Sequence, residues 1–74
     1  MGKDSGRLDN RLRELRQQAG GLTQQELAER VGITRQTVIA IEGNRYSPSL
    51  KVAFLIANAL GVGIEQVFQF SADP

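Results

Sequence analysis

Gln24-Gln25-Glu26-Leu27-Ala28-Glu29-Arg30-Val31-Gly32-Ile33-Thr34-Arg35-Gln36-Thr37-Val38-Ile39-Ala40-Ile41-Glu42-Gly43 is the stretch that decides the fold. Two helix starts are written into it and its approach. Thr23 with Glu26 makes a capping box, and Leu22 before the cap can pack on Leu27 as a hydrophobic staple. A helix beginning at Gln24 then presents Leu27, Ala28 and Val31 to one side and stops at Gly32, a residue free to turn left-handed. Ile33-Thr34 repeats the start, with Thr34 as N-cap and Ile33 able to staple onto Val38. The helix that follows runs from Arg35 to Glu42 and buries Val38 and Ile41, and Gly43-Asn44 is its left-handed exit. Two helices joined by so short a turn cross steeply, so the contact point on the first must be small. Ala28 occupies it. Gly32 supplies the turn and Val38 plugs its helix onto the one before, with Leu27, Val31 and Ile41 completing the seam.

Working outward, Leu8, Leu12, Leu15 and Ala19 fall on one helical face, which predicts a helix from Leu8 that ends at Gly20-Gly21. Downstream, Tyr46-Ser47-Pro48-Ser49 reads as a turn. From Leu50 to Leu60 every residue but Lys51 and Asn58 is apolar, so a fourth helix must be buried on more than one side. Its spacing gives one stripe of Leu50, Ala53, Phe54, Ala57 and Leu60, which a core can absorb, and a second of Val52, Leu55, Ile56 and Ala59. Gly61-Val62-Gly63 breaks it, and Ile64 to Phe68 makes a short fifth helix. Residues 1–7 read as a flexible tail, 8–68 as the domain with its motif at 24–43, and 69–74 as a second tail. No segment has the clean alternation of a strand. The expected fold class is all-α with five helices.

A small residue, a glycine four positions on and a β-branched apolar residue ten positions on, as in Ala28, Gly32 and Val38, is what a helix-turn-helix requires. With Leu22-Thr23-Gln24-Gln25-Glu26-Leu27-Ala28, Val31-Gly32-Ile33-Thr34-Arg35-Gln36-Thr37-Val38 and Ile41-Glu42-Gly43-Asn44-Arg45-Tyr46-Ser47-Pro48-Ser49-Leu50, the chain resembles the Cro/lambda-repressor-like (XRE-type) helix-turn-helix family, and within it the compact bacterial regulators. The likeness spans Leu8 to Phe68. It implies a five-helix DNA-binding domain. Gly20-Gly21 adds a residue before the second helix, and Gly43-Asn44 stands where many relatives have Lys-Gly or Asn-Gly.

The seam fixes the outward face of the third helix as Arg35, Gln36, Ile39 and Ala40, with Thr34 and Thr37 at its N-terminal end. An α-helix fills the DNA major groove. Arg35 suits guanine O6 and N7, and Gln36 suits adenine N6 and N7. Thr37, Ile39 and Ala40 can meet thymine methyls. The bland alternative for each is a solvated surface helix. Phosphate contacts are expected from Gln24 at the start of the second helix, where the family uses the matching Gln, with Thr23 beside it. Asn44, Arg45 and Tyr46 make a second cluster, and packing within the turn is the other reading of Tyr46. Arg16 and Glu42 resemble a pair that the family joins in an internal salt bridge. A dimer face is expected from Leu55 with Val52, Ala59, Phe68 and Phe70.

Composition agrees with a binder. There is no Cys and no His, which removes thiolate nucleophiles, imidazole bases and the usual zinc ligands. No cofactor, metal or small-molecule effector is expected, and no enzymatic activity. The formal net charge is +1, neither demanding nor forbidding a polyanion. No run approaches the roughly 18 apolar residues of a membrane span, and charged residues occupy the place of a signal peptide's apolar stretch. The expectation is a cytoplasmic regulator, a homodimer on a double-stranded operator. A protein-interaction module of the antitoxin or adaptor kind, using the same fold, is the alternative.

Overall fold

The computed structural model describes residues 6–72. In chain order the elements are β1 (Gly6–Asn10), α1 (Leu12–Gln18), α2 (Gln24–Val31), α3 (Arg35–Glu42), α4 (Leu50–Leu60), α5 (Ile64–Val67) and β2 (Phe68–Ala72). Five helices enclose the core, and the two strands pair antiparallel beside them.

The helix starts follow local chemistry. Thr23 accepts the Glu26 N–H (3.0 Å) while the Glu26 carboxylate accepts the Thr23 N–H (2.9 Å), so the capping box is complete. Thr34 accepts from the Thr37 N–H and Ser49 from the Val52 N–H. Gly32 ends α2 at φ 87°, in the left-handed region that a side chain adopts only at a cost. Leu12, Leu27, Val38, Ile41, Ile56 and Val67 are the largest fully buried side chains. Ala28 is buried among them, which lets α2 and α3 approach closely.

Four expectations need correction. The chain is mostly helical rather than all-α, because residues 6–10 and 68–72 form a two-stranded sheet with Leu8 opposite Phe70 and Asn10 opposite Phe68. The tails expected at 1–7 and 69–74 are therefore shorter: Gly6, Arg7 and residues 69–72 belong to strands, and the rest lies outside the described residues. α1 starts at Leu12 instead of Leu8. Its Leu12 N–H donates to Asn10 Oδ1 (3.0 Å), and the Arg11 N–H is drawn off to the Val67 carbonyl (2.9 Å). Cross-strand partners share a face of a sheet, so Gly6 lies with Phe70, and a Cβ at Gly6 would collide with the Phe70 ring. Glycine leaves room for the aromatic.

The expected left-handed exit from α3 falls on the second residue of its pair. Gly43 keeps an ordinary negative φ, and Asn44 takes the left-handed turn at φ 58°. The fourth correction concerns α4. Ala53, Ile56, Ala57 and Leu60 are buried, but Leu50 is 71% exposed and Phe54 53%. A helix of this bundle has one covered face, and Leu50, Phe54, Lys51, Leu55 and Asn58 lie on the other. Among the described residues no helix is long and apolar enough to cross a membrane.

Candidate nucleic-acid interface

Val38 and Ile41 anchor α3 to the core, which turns the opposite side of the helix outward. Arg35 and Gln36 are exposed, and Ile39 and Ala40 are half-buried. Neither Arg35 nor Gln36 has a side-chain hydrogen bond or ion pair to another described residue. The chain after α3 frames this face. A shallow depression is lined by Thr34, Gln36, Thr37, Ala40 and Tyr46, and a second by Gln36, Ile39, Ala40 and Arg45. Gln36 and Ala40 border both. Arg45 folds back over Gly43, its Nη1 3.0 Å from where a Cβ would stand, and so lies at the negative end of the α3 dipole.

Two expected base-reading residues have a job within the helix. Thr34 caps α3, and its Oγ1 lies 2.9 Å from that of Thr37. Thr23 is likewise held in its capping box. Thr23's N–H, and after it the hydroxyl, hold the Glu26 carboxyl below the usual carboxylate range.

Arg16 is buried, with Nε 2.6 Å and Nη2 3.2 Å from the two oxygens of Glu42, while Nη1 donates to the Leu22 carbonyl (2.8 Å). This clamp ties α1, the approach to α2 and the last turn of α3 together. Gln24 joins it, donating from Nε2 to Glu42 Oε1 at 3.1 Å. The Gln24 side chain is thus held against the pair, half-buried, at the N-terminus of α2.

The residues expected at a dimer face separate into two sets. Val52, Ala59 and Phe68 are half-buried and packed against the core of their own chain. Leu55 and Phe70 are exposed, Phe70 at 67%. Sequence reading missed Asn10, which bonds across to the exit of α3. An Asn just ahead of a helical run was its one visible signal.

The helix-turn-helix family profile matches residues 12–67, from the start of α1 to the end of α5. The chain belongs to the XRE-type, Cro-like helix-turn-helix regulators. It is 59% identical over 63 residues to a Methanothermobacter thermautotrophicus protein carrying the name uncharacterized HTH-type transcriptional regulator, covering 84% of this chain and 90% of the relative. Bacillus subtilis YgzD, similarly named, is 46% identical over 61 residues, with 82% and 91% covered. An immunity repressor protein of Bacillus phage phi105 is 39% identical over 46 residues, 62% of this chain and 32% of the phage protein. Among solved structures, a Bacteroides fragilis protein put forward as DNA-binding superposes with a TM-score of 0.76 at 26% identity, covering 84% and 98%. The family is one of DNA-binding regulators, not of enzymes. Its archaeal, bacterial and phage members make the likeness broader than the compact bacterial regulators alone.

Proposed function

We propose that the chain is a sequence-specific, double-stranded DNA-binding transcriptional regulator that occupies a palindromic operator as a homodimer and represses from it. The observation that carries this reading is the outward face of α3, where Arg35 and Gln36 have no side-chain partner among the described residues, framed by Arg45 and Tyr46. The N-terminal residues of a helix laid in the major groove reach base edges first. Arg35 offers two parallel donors to guanine, and Gln36 a donor and an acceptor to adenine, while Ile39 and Ala40 meet thymine methyls. Gln24, Asn44, Arg45 and Tyr46 set the register through phosphates. For Gln24 this means either releasing Glu42 or contacting phosphate through the Gln24 backbone N–H.

Two copies would place their α3 helices on half-sites roughly 34 Å apart. Leu55 and Phe70, with the exposed Leu50 and Phe54 of α4, are the apolar residues available to join them. The phage relative's name supports repression, and action on DNA places the protein in the cytoplasm.

Selection of bound sequences from a random duplex pool tests the whole reading. It should return an inverted repeat with half-sites about one helical turn apart. Arg35→Ala should then relax preference at one base pair of each half-site and cost roughly 1–3 kcal/mol. An equal loss on every duplex would remove Arg35 from base reading.

A further inference from the structure

Asn10 lies on β1, outside the helix-turn-helix, yet its side chain spans to the exit of α3. Nδ2 donates to the Ile41 carbonyl (2.9 Å) and to Asn44 Oδ1 (2.8 Å), and Oδ1 accepts from the Leu12 N–H (3.0 Å). Only a carboxamide supplies two donors and an acceptor from one end. The segment around it is held as well, through the Arg11 N–H on the Val67 carbonyl and through pairing of Asn10 with Phe68. The cleft between β1 and the loop after α3 has a volume of about 20 Å³ and is lined by Leu8, Asn10, Asn44, Tyr46 and Pro48, among others. That is room for about one water, so the loop rests on the strand.

The Asn10 to Asn44 bond has a direction. A carboxamide has one accepting and one donating prong. Asn44 gives its oxygen to Asn10, so Nδ2 is the prong left for an outside group. Asn44 is also the left-handed residue of the exit, at φ 58°, with its own N–H on the Ile41 carbonyl (3.0 Å). Its backbone is therefore fixed along with its amide. A phosphate can only accept, so the outer prong has the polarity that DNA requires.

We infer that Asn10 is a positioning residue for DNA: it fixes the polarity of the Asn44 amide and so presents Nδ2 to a backbone phosphate. The inference rests on the DNA-binding reading above. It adds a residue of the first strand to the interface, acting through the loop after the recognition helix.

The test is a double-mutant cycle in the full chain, with affinity for the selected duplex and for a scrambled one read by fluorescence anisotropy. Asn10→Asp keeps the acceptor for the Leu12 N–H, but its carboxylate draws Asn44 Nδ2 inward and turns the carbonyl out. Affinity should fall about ten-fold on both duplexes, the worth of one hydrogen bond to a charged acceptor. In an Asn44→Ala background the same change should cost less than about two-fold, since no amide remains to be turned. Equal losses in both backgrounds would assign the effect to added charge or a weakened fold and overturn the proposal, as would no loss at all. A second measurement needs no substitution: the side-chain amide NMR signals of Asn44 should shift when duplex is added, and stationary signals on a bound complex would also overturn it. If the unaltered chain binds no duplex, the DNA-binding reading itself fails, and this inference with it.

Discussion

Truncating Glu42 should come close to unfolding the domain. The Arg16 and Glu42 side chains are 11% and 10% exposed, and the guanidinium spends two of its three hydrogen bonds on the carboxylate. Glu42→Ala leaves a buried positive charge with the Leu22 carbonyl as its remaining partner, and Gln24 loses its acceptor too. Stranding one member of a buried pair costs about 3–5 kcal/mol. A domain this small has on the order of 4–11 kcal/mol in total at roughly 0.05–0.15 kcal/mol per residue, so the single variant forfeits about a quarter of its stability or more. Glu42→Gln keeps one accepting oxygen and should lose less. Replacing both partners, Arg16→Met with Glu42→Leu, removes the stranded charge and should recover most of the loss. The assay is urea unfolding followed by far-ultraviolet circular dichroism at one fixed protein concentration, since any self-association would add to apparent stability. A loss below about 1 kcal/mol for Glu42→Ala, the size expected of a surface pair, would refute the reasoning. So would a double variant less stable than the single one.

Gly32→Ala should cost about 1–2 kcal/mol from backbone strain alone, because φ is 87° and nothing lies within 4 Å of a Cβ there; no change in the urea midpoint would argue against the left-handed turn. Phe54→Glu should leave the monomer folded, since the ring is half exposed, and move the sedimentation equilibrium toward monomer. An unchanged dimer would remove α4 from the interface. Glu26 contributes a pH-dependent share of stability. Its carboxyl is held below its unfolded value, so the contribution is present above the ordinary carboxylate range and is lost as pH falls through the lowered folded value. Glu26→Gln should flatten part of the acid limb of urea midpoint against pH, and parallel curves for the two proteins would contradict this.

What could be read from the sequence was what depends on near neighbours in the chain. Thr23, Thr34 and Ser49 start their helices with hydrogen bonds three residues long, and Gly32 and Gly61 end theirs by left-handed turns. Those signals fixed α2, and Ala28 and Val38 fixed how it meets α3. The strands were illegible for the opposite reason. Phe68-Gln69-Phe70-Ser71 alternates over four residues only, too few to read as a strand, and its partner lies far away in sequence, so the run decides nothing until it is paired. Leu8 misled because its spacing to Leu12 and Leu15 fits a helix, while the Asn10 side chain and the Val67 carbonyl stop that helix at Leu12. On α4 the excess of apolar residues was plain and Leu55 was singled out for the outer face, but Leu50 and Phe54 were expected inside. Leu50 and Phe54 lie outside because the bundle presents nothing to that face. At the site, the outward residues of α3 followed from the seam. Gln24's bond to Glu42 and Asn10's reach to Asn44 did not, since each joins elements far apart in sequence.

The pairing of β1 with β2 also orders the events of synthesis. β1 is made before every helix, and all five helices must follow before its partner strand exists. α2 and α3 can already be packed while Asn10 has no sheet to hold it against the exit of α3. A nascent chain can therefore own α3 before it owns the strand pairing that holds Asn10 against the exit of α3, and the two become one surface only when the strand after α5 has been made.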